Sequence, residues 1–370
     1  MKIVYICVIN DLVTDQRVHR VAELLKENGA HVTCIGRRLR HSQVPEGVSF
    51  RYHRFFMLFT VGPLFYAFFN LRLLLFLLFE LKPALIIAND LDTLPAAWLA
   101  SRIRGVKLIY DSHELFTQVP ELVGRRRVQA IWKYIESRIV PRLDCAVTVS
   151  RSIARIYYGL YRTPFRVVRN VPKRKVPCTD GKMDSDFPGK RVIIYQGALN
   201  MGRGLELMIE TMEHLKEVVF LVVGTGDIDR KLRDLARTKG LGGRVVFTGR
   251  LSPGEVDPLT CAADLGISLE EDLGLNYRYA LPNKLFDYIQ ARIPVLCSDL
   301  PEMAGVVQTY GVGITTPERD PEKLATIIRS LLGEIDRGSF REALEKAAAE
   351  LCWEKEKTVY KDLLVECGFL

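Results

Sequence analysis

The feature that most limits the fold is an alternation of two hydrophobic periods, which runs through the chain twice with an aperiodic break between the two passes. Short apolar runs end in polar or glycine residues and are followed by segments with apolar residues at helical spacing. Ile3–Ile9 is the first such run. Gln16–Asn28 then carries Val18, Val21, Ala22, Leu24 and Leu25 on one helical face and stops at Gly29. His31–Ile35, Ala84–Ala88, Lys107–Tyr110 and Cys145–Val149 read as further strands, with helices over Thr93–Arg104 and Val128–Val140. Strands that alternate with helices predict a parallel, doubly wound sheet, whose ligands sit at the carboxyl ends of its strands. Asn10-Asp11, Asn89-Asp90 and Asp111–Glu114 lie at such ends.

Between Asn170 and Lys190 the pattern breaks into prolines, glycines and mixed charge, the composition of a linker. It restarts with a strand at Arg191–Tyr195 and a helix at Glu206–Leu215. Strands at Val218–Val223, Val245–Phe247, Leu265–Ser268 and Pro294–Ser298 follow, with helices at Asp229–Lys239 and Asn283–Gln290. Glu318–Leu370 reads as helical. The predicted organisation is one α/β domain over 1–172, a linker over 173–190, a second α/β domain over 191–350 and a terminal helix over 351–370. A length of 370 residues suits two cores.

With 48% hydrophobic and 26% charged residues, the composition excludes a disordered or fibrous chain. The net charge of +8 suits an anionic substrate, an anionic membrane surface or nucleic acid. Zinc-finger spacing and RNA-binding aromatic signatures are absent, so nucleic acid is not expected as a partner. Basic clusters stand at Arg37–Arg40, Arg125–Arg127 and Lys173–Lys175; a solvated charged face accounts for them as well as lipid does. Eight cysteines without a C-x-x-C pair, several of them in strand-like runs, read as free thiols in a reducing cytoplasm. Phe55–Leu81 is strongly apolar but interrupted by Gly62-Pro63 and by Asn70 and Arg72. It admits a partly buried helical hairpin, a membrane-docking surface or a spanning helix.

Several motifs carry chemistry. Gly197–Gly204 follows the second domain's first strand, and Arg203 there can clamp a diphosphate. A solvated arginine is the plain alternative. Gly224-Thr225-Gly226 ends a strand where backbone can approach a phosphate or base closely, or simply turn. It lacks the third glycine of a dinucleotide fingerprint. Pro282 and Asn283 open a helix whose N-terminus favours an anion. Lys284 adds a positive charge, and Asp287 is placed to accept from ribose hydroxyls or to serve the helix start. His113 beside Asp111 and Glu114 at a strand end suits orienting work.

In their order and spacing these segments resemble the family-four retaining glycosyltransferases of the GT-B fold, over nearly the whole chain. The resemblance rests on Asp15–Val18, Asn89–Pro95, Tyr110–Leu115, Tyr195–Gly204, Phe247–Arg250, Pro282–Tyr288, Pro294-Val295, Asp299–Glu302 and Trp353-Glu354. It implies two Rossmann-like domains with an interdomain cleft, the first facing the acceptor and the second binding a nucleotide sugar. The terminal helix crosses back to the first domain. His113, Arg203 and Lys284 take the catalytic roles. Donor contacts fall on Gly197, Gly204, Gly224, Gly226, Gly249, Arg250, Asn283, Leu285 and Asp287, and acceptor-side groups on Asp11, Asp90, Asp111 and Glu114. The chain departs from the family pattern in four places. Arg203 replaces a usual lysine, the donor-loop arginine falls on Ala198, and Asn10-Asp11-Leu12 stands for a Gly-Gly turn. The first acid of the paired-glutamate signature falls on Ala280, with Asp287 as the second.

The implied reaction moves a sugar from a UDP- or GDP-sugar to an acceptor hydroxyl with retention, in bacterial cell-surface polysaccharide or glycoconjugate synthesis. Stabilising the leaving diphosphate lowers the barrier. The nucleotide sugar is a substrate, so no cofactor is expected. Nor is a metal, because side-chain cations supply the charge; Asp90-Leu91-Asp92 has Asp-x-Asp spacing but lies on the acceptor side. Expected partners are the donor, a sugar or lipid-linked acceptor, and a membrane surface touched by the N-terminal domain. The expected location is the cytoplasm, on the inner face of the cytoplasmic membrane. A nucleotide-sugar 2-epimerase and a non-catalytic sugar-nucleotide-binding protein are the rival readings.

Overall fold

The central strands of both sheets are near-continuous apolar runs, as parallel strands covered on both faces must be. Val218–Val223 is buried at all six positions and Leu85–Asn89 at all five. The computed structural model describes all residues except Met1, Thr14, 40–47, Ser49, 120–121, Val123, 178–186 and Arg337. Much of the expected linker, with Cys178, and Arg40 of the first basic cluster thus lie outside the described residues.

Two compact units result: Met1–Asn170 with Glu356–Leu370, and Val171–Lys355. In the first, β1 (Lys2–Cys7), α1 (Gln16–Glu27), β2 (Ala30–Arg38), β3 (Arg51–Phe56), α2 (Gly62–Phe79), β4 (Leu85–Asn89) and α3 (Leu94–Arg104) come first. They are followed by β5 (Lys107–Ser112), α4 (Arg126–Ile139), β6 (Cys145–Thr148), α5 (Arg151–Tyr161) and β7 (Arg166–Val167). The described strands form a parallel sheet in the order β3-β2-β1-β4-β5-β6-β7. Strand order reverses between β1 and β4, the place where doubly wound sheets open a crevice for ligand. Side chains fix the helix starts: Asp15 accepts from Val18 N ahead of α1, and Ser150 from Ile153 N ahead of α5.

The second unit contains β8 (Arg191–Gln196), α6 (Leu205–Thr211), β9 (Val218–Val223), α7 (Asp229–Thr238), β10 (Val245–Gly249), α8 (Pro253–Ala262) and β11 (Leu265–Ser268). It continues with α9 (Leu275–Arg278), α10 (Asn283–Ala291), β12 (Val295–Ser298), α11 (Pro301–Tyr310), β13 (Gly313–Thr316), α12 (Pro321–Asp336) and α13 (Arg341–Glu350). Its sheet runs β10-β9-β8-β11-β12-β13, and the order reverses between β8 and β11. The chain closes with α14 (Trp353–Glu366). On the first unit, Glu356 of α14 accepts from Arg169 Nε at 2.7 Å and from its backbone N–H at 2.8 Å.

Two expectations need correction. Of the three readings of Phe55–Leu81, the helical hairpin is replaced by one continuous helix, α2, because Gly62-Pro63 begins it rather than breaking it; proline fits the first helical turn, whose N–H groups have no partner anyway. The cysteines are also not all free. Cys145 at the head of β6 is bonded to Cys367 behind α14, with Cα atoms 6.1 Å apart, and Cys261 is disulfide-bonded too. A pairing across 222 positions leaves no local spacing signal, which is why a count of cysteines missed it. Cys7, Cys34, Cys297 and Cys352 are free and buried.

Candidate functional site

In the second unit the loops after β8 and β11 meet at the reversal of strand order. Gly204 comes so close to Leu269 that a Cβ would stand 2.1 Å from the Leu269 carbonyl oxygen, and Gly204 also has φ +69°. Gly224 packs on Gly197 in the same way, where a Cβ would lie 1.9 Å from the Gly197 oxygen. These glycines are required by loop-on-loop packing, whatever binds there.

That packing assembles a group the sequence did not announce. Glu270, fully buried just past β11, accepts from Lys284 Nζ at 2.8 Å, and Arg203 Nη1 lies 3.6 Å from the same oxygen. Ser268 Oγ donates to the other oxygen at 2.7 Å. Burial alone would push the Glu270 carboxyl up, but the charges of Lys284 and Arg203 outweigh it and hold the group below its ordinary value. Lys284 Nζ sits 3.9 Å from the centre of the Tyr195 ring and Arg203 5.2 Å from that of Tyr277, so both cations are held by an aromatic face as well. Two cations on one carboxylate leave an unneutralised positive charge at the carboxyl end of the sheet. An incoming diphosphate can share or take over the pairing.

The other donor-side residues are placed as follows. Asn283 is exposed in the first turn of α10, which has no side-chain cap, so the N-terminal amides keep their capacity for an anion. Leu285 has its side chain in the core, and its N–H donates to Pro282 O at 3.2 Å. Asp287 accepts from Gln196 Nε2 at 3.0 Å, which ties α10 to the end of β8. Gly226 lies against Leu199, Gly249 turns at φ +77°, and Arg250 beside it is exposed. The Phe247 ring of that strand lies under Arg233, at 4.7 Å.

In the first unit Asp111 is engaged from two sides of Arg17, by Nε at 3.0 Å and Nη2 at 2.9 Å, both groups being buried. Arg17 Nη1 also donates to Val168 O at 2.8 Å. Asp111 is therefore committed to holding α1 against β5. Asp90, in the left-handed region at φ +58°, accepts from the His113 backbone N–H at 2.8 Å, and its other oxygen is 3.5 Å from His113 Nδ1. Burial pushes Asp90 up to about 7, against the opposing pull of His113. Asp92, two residues on, is pushed up to about 8 by burial and then by Glu114, with Arg37 pulling the other way. Asp11 closes a turn onto Val13 N at 3.2 Å. The structure thus gathers Asp90, His113 and Glu114 with Asp92. Among the described residues no group of three or more His, Cys, Asp or Glu side chains has the geometry to hold a metal ion.

Sequence reasoning missed Glu270, Arg17 and Asp92 as parts of these clusters. For Glu270 the available signal was an acid two residues beyond a strand end, in Ser268-Leu269-Glu270-Glu271.

Comparison with known proteins identifies the family and the fold. The family model described as Glycosyltransferase Family 4 matches residues 15–172, and the one described as Glycosyl transferases group 1 matches residues 190–334. No curated protein matches. Among solved structures, sucrose-phosphate synthase from Thermosynechococcus elongatus superposes with a TM-score of 0.81 at 17% identity, covering 99% of this chain and 100% of that one. HepE from Anabaena, in complex with UDP-glucose, gives 0.76 at 14% identity, with full coverage of both chains. WaaG, a glycosyltransferase involved in lipopolysaccharide biosynthesis, gives 0.73 at 15% identity, covering 99% of this chain and 100% of that one. Two parallel α/β sheets of this order, one matched by each of two family models that together cover most of the chain, make it a member of the family-four glycosyltransferases with the GT-B fold.

Proposed function

We propose that the chain transfers a sugar from a UDP- or GDP-sugar to an acceptor hydroxyl with retention of configuration, in the assembly of a bacterial surface polysaccharide or glycoconjugate. The observation that carries this reading is the pairing of Arg203 and Lys284 on buried Glu270 beside the uncapped N-terminus of α10. Such preorganised positive charge stabilises a diphosphate as it departs. Arg203 and Lys284 bind the phosphates, the α10 amides add donors, and Asp287 accepts from the ribose. The second unit supplies the donor site and the first unit the acceptor-side groups. Side-chain cations supply the charge that a metal otherwise would, so the reaction runs without one. That neighbours were solved with UDP-glucose and UDP supports a uridine nucleotide as the first donor to try.

The apolar helix α2 supports a membrane location in this reading. The helix is apolar on every face, yet only Phe65, Phe69, Leu73 and Leu77 are buried in it. Its outward side carries Leu71 at 53% and Phe79 at 83% exposure. With one stripe packed on the domain and Arg72 at mid-helix, α2 lies along a bilayer surface rather than across it. Exposed Arg125–Arg127 at the start of α4 add attraction for anionic headgroups. The protein works on the inner face of the cytoplasmic membrane in this reading.

Turnover of Lys284→Ala and Arg203→Ala with UDP- and GDP-sugars tests the assignment. Each substitution is expected to cost ~2–4 kcal/mol of transition-state stabilisation, the scale for one charge-stabilising group. Near-wild-type turnover in both variants overturns it.

A further inference from the structure

Glu136 of α4 is a buried acid surrounded by hydroxyls rather than by a cation. Tyr161 Oη donates to its Oε2 at 2.7 Å and Thr117 Oγ1 to the same oxygen at 3.5 Å, while Tyr157 Oη lies 3.4 Å from Oε1. The chain continues from there. Tyr157 Oη is 3.0 Å from Ser112 Oγ, and Ser112 Oγ donates to Glu114 O at 2.8 Å, across the turn that holds His113. Thr148 Oγ1 donates to Ser112 O at 2.8 Å from the neighbouring strand. Helices α4 and α5 are thereby connected, through hydroxyls, to the main chain on both sides of His113.

Each hydroxyl has one proton to give, so the links can be counted. A carbonyl only accepts, and the Ser112 proton therefore goes to Glu114 O. The Tyr157 proton then makes the link to Ser112 Oγ. None remains for the contact between Tyr157 and Glu136, the longest in the chain, unless the carboxyl supplies it. A protonated Glu136 donates through Oε1 to Tyr157 and still accepts through Oε2 from Tyr161. Once ionised it draws the Tyr157 proton to itself, and Ser112 Oγ loses the donor that faces it. Burial acts in the same sense, pushing the Glu136 carboxyl up against the opposing pull of Tyr161, Tyr157, Thr117 and Lys133. The titratable groups that face it are Tyr157 and Tyr161 from α5, Tyr110 from β5 and Lys133 on α4 itself.

We infer that Glu136 is a positioning residue for His113: carrying a proton, its carboxyl completes the relay Glu136–Tyr157–Ser112–Glu114 and fixes the turn that carries the imidazole. The ring stands between two carboxylates, with Nδ1 3.5 Å from Asp90 and Nε2 3.7 Å from Asp111, so a small movement of the turn changes both distances. The inference rests on the transferase reading, in which His113 has a catalytic role, and adds the protonation state that holds His113 in place. Glu136 acts only through Tyr157 and Ser112.

The carbonyl carbon of Glu114 reports the hydrogen bond it accepts from Ser112, and NMR on the full chain follows it from pH ~5 to ~9, a range that spans a raised carboxyl. In wild type its shift should pass through a step as Glu136 ionises. Glu136→Gln, whose amide donates to Tyr157 as the protonated acid does, should hold the low-pH position throughout. Tyr157→Phe keeps the ring that stacks on Phe165 at 4.2 Å but breaks the relay, and should show no step either. Turnover is then compared with whichever UDP- or GDP-sugar wild type uses. At low pH kcat should be equal in wild type and Glu136→Gln, and at high pH the variant should be ~5-fold faster, the worth of about one hydrogen bond, with KM unchanged. Asp90 titrates alike in both proteins, so its effect cancels in that ratio. A wild-type Glu114 signal without a step, a step that survives in Glu136→Gln, or a kcat ratio of one at every pH overturns the inference. Should Tyr157→Phe fail to fold, Glu136→Gln decides alone. Wild type that turns over no UDP- or GDP-sugar overturns the transferase reading instead, and the Glu114 signal still decides whether the relay exists.

Discussion

Glu270 shows how one side chain can set the state of two others. Buried and doubly paired, it fixes Lys284 and Arg203 in place before any substrate arrives. Removing a single member of a buried ion cluster leaves uncompensated charge, which costs about 3–5 kcal/mol. Glu270→Gln should lower unfolding free energy by that order in urea titration, and a variant as stable as wild type would mean that the triad is not formed. Asp90 and Asp92 carry the opposite sign. Both are protonated more readily in the folded chain than unfolded, because burial pushes them up to about 7 and about 8. Well below the ordinary carboxylate pKa of ~4, both states hold the proton and there is no penalty. As pH rises from there toward 8 the unfolded chain ionises first, so stability falls across that window and levels off above it. Thermal unfolding from pH 4 to 9 should show the decline, and Asp92→Asn should flatten it. An unchanged slope in that variant would assign the decline to other groups.

At the level of elements, α2 departs furthest from what a domain-covering helix should be. Such a helix has a polar outer face, and α2 has none. Its buried positions recur every fourth residue, a stripe too narrow for its hydrophobicity. Leu71→Asp and Leu75→Asp fall on the exposed side and should leave the melting temperature within a degree or so, while abolishing co-sedimentation with anionic vesicles. Leu73→Ala, in the buried stripe, should cost ~2–5 kcal/mol of stability. Wild-type binding should weaken as salt rises, through the arginines at the start of α4. Protein that stays in the supernatant with anionic vesicles at low salt would end the membrane assignment.

On the scale of the whole molecule, the chain leaves its first unit at Asn170, builds the second, and returns as α14 to complete the first. The Cys145–Cys367 bond locks that return, reinforced by the Arg166–Glu366 pair and by Lys2 donating to Phe369 O. Cross-linking so distant positions removes entropy from the unfolded chain, roughly 3–5 kcal/mol in the loop-closure account. Cys367→Ser should therefore lower the unfolding transition of the first unit and leave that of the second, whose core runs from Val171 to Leu351, in place. Scanning calorimetry resolves the two, and equal shifts in both would contradict the division. A reducing compartment keeps thiols apart, so the bond stands against the proposed cytoplasmic location. Thiol trapping on freshly lysed cells reads its state directly.

Periodicity and turn chemistry are local properties, and they carried the two α/β units, most strands and the helix opening at Pro282-Asn283 from the sequence alone. Short or polar elements such as β3, with Arg51, His53 and Arg54, and the two-residue β7 have no such local signature; they are strands because a sheet edge pairs with them. Motif spacing likewise put Arg203 and His113 in the loops beyond strand ends and Lys284 at a helix start. What those residues touch was decided by packing between segments far apart in the chain: Glu270 under Lys284, Arg17 on Asp111, Asn70 on Asp92, Cys145 on Cys367. A residue's type and spacing state what it is able to bind. Burial and partnership, which settle whether that capacity is spent inside the fold or left for a ligand, exist only once the sheets have brought their loops together.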